Sequence, residues 1–275
     1  MRQEIEVKVV QEVQSLAANI GYKTVGDWFD GTLRTLTLDA ILPKHREDHA
    51  PQPILIWLCG GGFSQVNEHI WLPEMVKYAR AGITVVSPRY RTSNEAPFPA
   101  QIRDVKAAIR YVRANAARFS GDPDRIFLMG ESAGAILSEL AAATPNDPRF
   151  IEGEYPEVSD AVTGVIPFYG ACDMTLQDRK MNWRNMAYFG GPFTEEQTRN
   201  VSALTYLNEQ APPFLIFHGQ EDEKVPVEQS EILYRRLTEL GVPADYYCVK
   251  GLNHGNDGFY QDEVADIVIR FILSH

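Results

Sequence analysis

Arg125-Ile126-Phe127-Leu128-Met129-Gly130-Glu131-Ser132-Ala133-Gly134-Ala135-Ile136-Leu137 runs from an apolar, strand-like stretch through a G-x-S-x-G pentapeptide into an alanine-rich helical stretch, Ala135 to Ala143. A serine at so sharp a strand-to-helix junction has to adopt a strained, positive-φ conformation, and glycines on both sides let strand and helix approach without Cβ clashes. The hydroxyl is then held above the sheet edge at a helix N-terminus, where backbone N–H groups can meet an oxyanion. This is the geometry of a nucleophile elbow.

Working outward, Pro53 to Cys59 and Ile83 to Ser87 are near-continuous apolar runs, the pattern of strands buried on both faces by helices. Ile126 to Met129, Val162 to Tyr169 and Phe214 to Phe217 read the same way, and Asp245 to Val249 reads as an outer strand. Gly31 to Leu42 instead alternates apolar and polar residues, so the sheet is expected to begin antiparallel. Helices are expected over Trp71 to Ala81, Pro99 to Phe119, Ala135 to Ala143, Glu228 to Leu240 and Gln261 to Leu273. In the second of these, proline sits in the first turn and Ile102, Val105, Ala108, Ile109 and Val112 make one apolar face. Its arginines, from Arg103 to Arg118, read as a solvated face. Strand and helix alternation of this kind implies α/β architecture: a mostly parallel, doubly wound sheet of about eight strands with right-handed crossovers. Ala171 to Gln210 breaks the alternation with Met174, Trp183, Met186, Tyr188 and Phe189 and no strand signature, and is expected to be a small helical insert or lid, with helices that only pack on the sheet as the equal alternative.

Length and composition fit one α/β domain spanning residues 1–275, with 44% hydrophobic and 23% charged residues. A formal net charge of −11 argues against nucleic-acid and anionic-membrane partners, which require clustered Lys and Arg. Cys59, Cys172 and Cys248 are too few and too scattered for a disulfide framework. The start, Met1 to Glu6, lacks a signal-peptide pattern and no window reaches the ~18 apolar residues of a membrane span, so a cytoplasmic location is expected.

A serine hydroxyl is a poor nucleophile until a base takes its proton. Of the six histidines, His254 follows an apparent strand and precedes the final helix, which puts it on the sheet edge that carries Ser132. The acid belongs after the preceding strand, where His218-Gly219-Gln220-Glu221-Asp222-Glu223-Lys224-Val225-Pro226 offers three carboxylates. Asp222 is selected, with Glu221 and Glu223 read as solvated neighbours and His218 as a structural residue ordering the turn. The order serine, acid, histidine is the one this architecture uses. Gly60-Gly61-Gly62 ends the early strand Pro53 to Cys59, and the N–H groups of Gly61, Gly62 and Ala133 are assigned to an oxyanion hole. His45 and His49 have the spacing of a helical metal pair but lie in a charged loop without an apolar face, so no metal site is read there. His69 and His275 are weaker candidates for the base, the former in a loop that could border the pocket.

These residues resemble the α/β-hydrolase superfamily, and within it the esterases similar to hormone-sensitive lipase and the bifunctional feruloyl and acetylxylan esterases. The resemblance covers the chain from about Asp39 onward. It is most specific at Val86-Ser87-Pro88-Arg89-Tyr90-Arg91, Ala96 to Ala108, Asp122-Pro123-Asp124-Arg125-Ile126, Gly130 to Gly134, and His254-Gly255 with Phe259-Tyr260. One position departs: many relatives have His-Gly-Gly-Gly where this chain has Cys59-Gly60-Gly61-Gly62, so the histidine that in those relatives helps order the glycine loop is missing. Cys59 itself, at the end of an apolar strand without an adjacent base, reads as an inert packing residue.

The resemblance implies a serine carboxylesterase without a cofactor, acting on short acyl groups such as acetyl or feruloyl carried by plant-derived saccharides. Phe63, Trp183, Met186 and Tyr188 are the expected substrate contacts. An arylformamidase or small peptidase would use the same three residues, and a ligand-binding protein on a hydrolase scaffold could retain them. Small-molecule or oligosaccharide esters are the expected partners. The sequence leaves the oligomeric state open, a homodimer included.

Overall fold

The computed structural model describes residues 1–27, 30–45, 50–176 and 187–275. Among them, eight strands form one sheet: β1 (Gln14–Gly26), β2 (Leu33–Pro43), β3 (Gln52–Leu58), β4 (Thr84–Pro88), β5 (Gly121–Glu131), β6 (Gly164–Phe168), β7 (Phe214–Gly219) and β8 (Ala244–Val249). Their order is β1-β2-β4-β3-β5-β6-β7-β8. The β1–β2 and β2–β4 pairs are antiparallel and every other pair is parallel, so the sheet is that of an α/β-hydrolase and begins antiparallel as expected.

The central strands show why both faces need cover. Side chains alternate sides along a strand. Ile54, Ile56 and Leu58 of β3 and Ile126 and Leu128 of β5 join one apolar core, whereas Leu55, Trp57, Phe127 and Met129 join the other. Helices α2 (Ala100–Ala114), α3 (Ala133–Ala143) and α5 (Glu228–Glu239) close the first core; α1 (Leu72–Arg80) and α6 (Asp262–Ser274) close the second. A short helix, α4 (Glu195–Asn200), opens on a reciprocal Thr194–Gln197 capping box. It falls in the expected insert, whose described residues are helical turns and loop; residues 177–186, which include Trp183 and Met186, lie outside the described residues.

Strand β1 is not among the expected strands, because register shifts at Ala17/Ile20 and Gly21/Lys23, with Asn19 at φ 56°, reset the two-residue alternation inside it. One expectation is corrected: of the arginines from Arg103 to Arg118 only Arg118 is exposed, and the charged residues at the middle of α2 are not solvated. Lys106 and Arg110 are fully buried and share Asp160, at 2.8 and 3.3 Å. Asp104, also fully buried, holds Lys23 of β1 at 2.6 Å and Arg91 at 2.7 Å, and Glu152 adds contacts to Lys23, Arg91 and Arg103. Arg113 donates to the carbonyls of Ser159 and Ala161. The reason is topological: the segment 145–160 lays Glu152 and Asp160 over the cations of this face, β1 lays Lys23 over Asp104 of α2, and a buried charge persists only when it is paired.

Candidate active site

The register aligns the carboxyl ends of the strands. Leu58 of β3 pairs with Gly130, Glu131 with Phe168 of β6, and Gly219 of β7 with Val249 of β8, so the segments that follow these strands emerge along one edge. Ser132 sits between β5 and α3 at φ 51° and ψ −117°, a conformation L residues rarely adopt. It is held there from both sides: its N–H donates to the Phe168 carbonyl at 2.9 Å, and its carbonyl accepts from Ile136 N–H at 3.0 Å. Gly134 is required by close packing, since a Cβ there would lie 2.0 Å from the Leu58 carbonyl oxygen.

His254 leaves β8 on a short loop. Its Nε2 lies 2.9 Å from Ser132 Oγ and its Nδ1 lies 2.7 Å from Asp222 Oδ2. The Asp222 carboxylate is fully buried. Burial works to raise its pKa, but hydrogen bonds from His218, His254 and the Val225 N–H prevail and hold the carboxyl well below the usual range. The other oxygen, Oδ1, accepts from the N–H groups of Lys224 and Val225 at 2.8 and 2.9 Å. His218 is buried behind the acid, bonded through Nδ1 to Ser230 Oγ at 2.7 Å, with its Nε2 3.0 Å from the Val225 carbonyl and 3.3 Å from Asp222 Oδ2. His69, by contrast, pairs with Asp39 at 2.8 Å and borders a groove beside β1 and α1.

The glycine loop lies against the elbow. A Cβ on Gly60 would stand 3.1 Å from Ser132 Cβ. Gly61 turns the chain at φ 128°, where a Cβ would meet the Gln65 carbonyl oxygen at 2.1 Å, and its own carbonyl accepts from Ser64 and Gln65 N–H at 3.2 Å each. Gly62 and Phe63 continue at positive φ. Ala133 is the first residue of α3, so its N–H has no acceptor within the helix. Burial pushes the Cys59 thiol up to about 12, leaving it protonated at neutral pH. Its carbonyl accepts from the buried Tyr90 hydroxyl at 2.7 Å.

Three residues that sequence reasoning passed over complete the arrangement. Glu131, the variable residue of the pentapeptide, accepts Gly60 N–H at 3.2 Å and the Trp71 indole N–H at 2.7 Å on one oxygen and the Tyr169 hydroxyl at 2.7 Å on the other. It thus ties the glycine loop, which lacks the histidine of many relatives, directly to the elbow. Tyr169, at φ 44° just past β6, also packs its ring 4.7 Å from the His254 ring. Asn253 Oδ1 accepts from the N–H groups of His254 and Glu223 at 2.6 and 3.2 Å, clamping the histidine loop to the acid loop. The available signals were the position of Glu131 inside the motif and the adjacency of Asn253 to His254; nothing in the sequence brings Trp71 or Tyr169 to the same place.

Of the expected substrate contacts, Phe63 and Tyr188 are the two among the described residues. Phe63 and Tyr188 are brought together, but as packed wall: their rings stack at 4.0 Å, Phe98 lies 5.5 Å from Tyr188, and Tyr188 has no accessible surface. A ring already covered on both faces has none left for a substrate. Among the described residues, no group of three or more His, Cys, Asp or Glu side chains is arranged to hold a metal, and no helix is long and apolar enough to cross a membrane.

The family model for BD-FAE matches residues 38–237, which include the glycine loop, the elbow and Asp222. The chain belongs to the BD-FAE family. The probable carboxylic ester hydrolase LipM of Mycobacterium tuberculosis is 37% identical across 68% of this chain and 45% of LipM. Esterase LipQ of the same organism is 35% identical across 74% of this chain and 50% of its own. The chain therefore spans about half the length of these curated relatives. Among solved structures, a truncated carbohydrate esterase from gut microbiota superposes with a TM-score of 0.82 at 27% identity, covering 97% of this BD-FAE chain and 98% of that one. Thermogutta terrifontis esterase 2, at 21% identity and a TM-score of 0.78 over 94% of both chains, shares the fold.

Proposed function

We propose that this protein is a serine carboxylesterase that hydrolyses short acyl esters, acetyl or feruloyl, of saccharides. The observation that carries the proposal is the unbroken hydrogen-bonded line from Ser132 Oγ through His254 to Asp222, at 2.9 and 2.7 Å. His254 Nε2 takes the Ser132 proton as Oγ attacks the ester carbonyl. Asp222 keeps the ring in the tautomer with Nδ1 protonated and stabilises the imidazolium that forms. The carbonyl oxygen, now an oxyanion, accepts from the N–H groups of Gly61, Gly62 and Ala133. His254 returns its proton to the leaving alcohol, then activates a water that releases the acid from the acyl-serine. The saccharide preference is supported by the likeness to a carbohydrate esterase over nearly the full length of both chains.

Hydrolysis of p-nitrophenyl acetate by the wild type and by Ser132→Ala tests the mechanism: kcat should fall about 10⁶-fold, the order expected when a triad nucleophile is removed. Equal rates would sink Ser132 as nucleophile. With activity in hand, acetylated xylo-oligosaccharides and methyl ferulate compared with butyrate and octanoate esters test the acyl class, and preference for the longer chains would overturn the saccharide-ester reading.

A further inference from the structure

We propose that two copies of this chain associate through their N-terminal arms, paired as antiparallel strands about Val7. Residues 1–13 carry no helix or strand, and hydrogen bonds from Lys44 N–H to the Val13 carbonyl and from His45 N–H to Glu12 Oε1, both 3.0 Å, tie the end of this segment to the sheet. The arm nevertheless has the pattern of a strand. Ile5, Val7 and Val9 alternate with Glu4, Glu6 and Lys8. Its apolar side chains are left in water: Ile5, Val7, Val9 and Val10 are between 72% and 85% exposed.

What selects a second copy as the partner is that the arm is complementary to itself. In an antiparallel pair centred on Val7, residue n stands opposite residue 14 − n. One face then sets Val7 on Val7, Ile5 on Val9 and Gln3 on Gln11; the other sets Glu6 on Lys8, Arg2 on Glu12 and Glu4 on Val10. Every contact off the axis occurs twice by symmetry, as an isologous two-fold interface requires. Neighbouring registers are selected against: centring on Glu6 or on Lys8 places like charges face to face on the axis, and a parallel in-register pair does so at both positions. The outer edge of β1 is a poorer docking strand, because two bulges break its ladder. Residues 11–16 also line a groove of about 780 Å³ with Leu72 and Val76 of α1, and the pairing carries residues 2 and 3 of the second copy past this groove, opposite Gln11 and Glu12.

Sedimentation velocity and light scattering on the full chain test this. The wild type should be dimeric at micromolar concentration, and Glu6→Lys should raise the dimer Kd at least about tenfold by opposing lysine to lysine twice. The Glu6→Lys/Lys8→Glu double variant should restore the dimer, an outcome that loss of folding could not mimic. In a Cys248→Ser background, which removes the exposed thiol, Val7→Cys should cross-link to itself under copper–phenanthroline oxidation and Ile5→Cys should not, because its counterpart is Val9. A monomeric wild type, a dimer indifferent to Glu6→Lys, failure of the double variant to rescue, or equal cross-linking at positions 5 and 7 would each overturn the proposal. So would a monomer that floats with phosphatidylcholine vesicles through its arm.

Discussion

The carboxyl edge of the sheet and the underside of α2 both bury carboxylates, and they neutralise them in opposite ways. Under α2, Asp104 and Asp160 meet full cations: Lys23 and Arg91 for the first, Lys106 and Arg110 for the second. At the edge, Asp222 and Glu131 meet no Lys or Arg in any contact described; their partners are backbone N–H groups, imidazoles, an indole and a phenol. A fully paired carboxylate is electrostatically spent and serves to lock α2 onto β1. A carboxylate held by dipoles keeps its charge available, so in the proposed mechanism it can stabilise an imidazolium that forms transiently or fix a loop that would meet an oxyanion. Buried charge therefore means architecture in one region and readiness for chemistry in the other.

The comparison is broken most decisively at Asp222. Asp222→Asn should reduce kcat/KM for p-nitrophenyl acetate by about 10⁴-fold and also lower the urea midpoint near neutral pH. Because the folded carboxyl titrates below its unfolded value of about 3.9, its contribution to stability is present above that pH and fades as pH falls further, so the variant should also have a flatter acid limb. Under α2 the pattern should invert. Asp160→Ala leaves Lys106 and Arg110 buried without their carboxylate and should cost about 3–5 kcal/mol in urea unfolding, with turnover per folded molecule preserved.

Glu139 sharpens the contrast, because among the described residues its Oε2 meets neither kind of partner. It is buried on α3, its Oε2 has no hydrogen-bond partner among the described residues, and burial raises its pKa to about 8. The folded protein thus keeps a proton that the unfolded chain releases near pH 4.3, and stability drains as pH rises from there toward 8. Glu139→Gln should abolish this slope, worth about 3 kcal/mol at pH 7, as read from unfolding curves at pH 5 and pH 8. The smallest effect is expected at Glu131. Glu131→Ala frees the Gly60 N–H and should lower kcat by ~10- to ~100-fold with KM nearly constant, and Glu131→Gln should recover part of the loss. An unchanged kcat in Glu131→Ala would mean that the glycine loop holds its shape unaided.

How much of this was legible beforehand depended on whether a signal was local. The Gly130 to Gly134 turn was readable because its chemistry is complete within five residues: Ser132 needs a positive φ, and Gly134 has to admit the Leu58 backbone. Six central and outer strands were readable from apolar runs, and His254 and Asp222 from their places after β8 and β7. Strand β1 was hidden because its bulges scramble the alternation, and the fate of the charged residues of α2 because their partners lie about fifty to eighty residues away in sequence. Phe63 and Tyr188 have the residue types of a binding wall, and only packing decided that they cover each other.

By itself the sequence determined the sheet from β2 to β8, the elbow, and the order of the proposed serine, acid and histidine, since each follows from local periodicity or from a short motif with its own steric requirement. Only the tertiary structure decided which charges are paired and which stand ready, that Glu131 takes over the ordering of the glycine loop, and that Tyr169 and Asn253 brace His254. Those are long-range encounters: they depend on where strand ends converge, and convergence is a property of the closed sheet rather than of any segment within it.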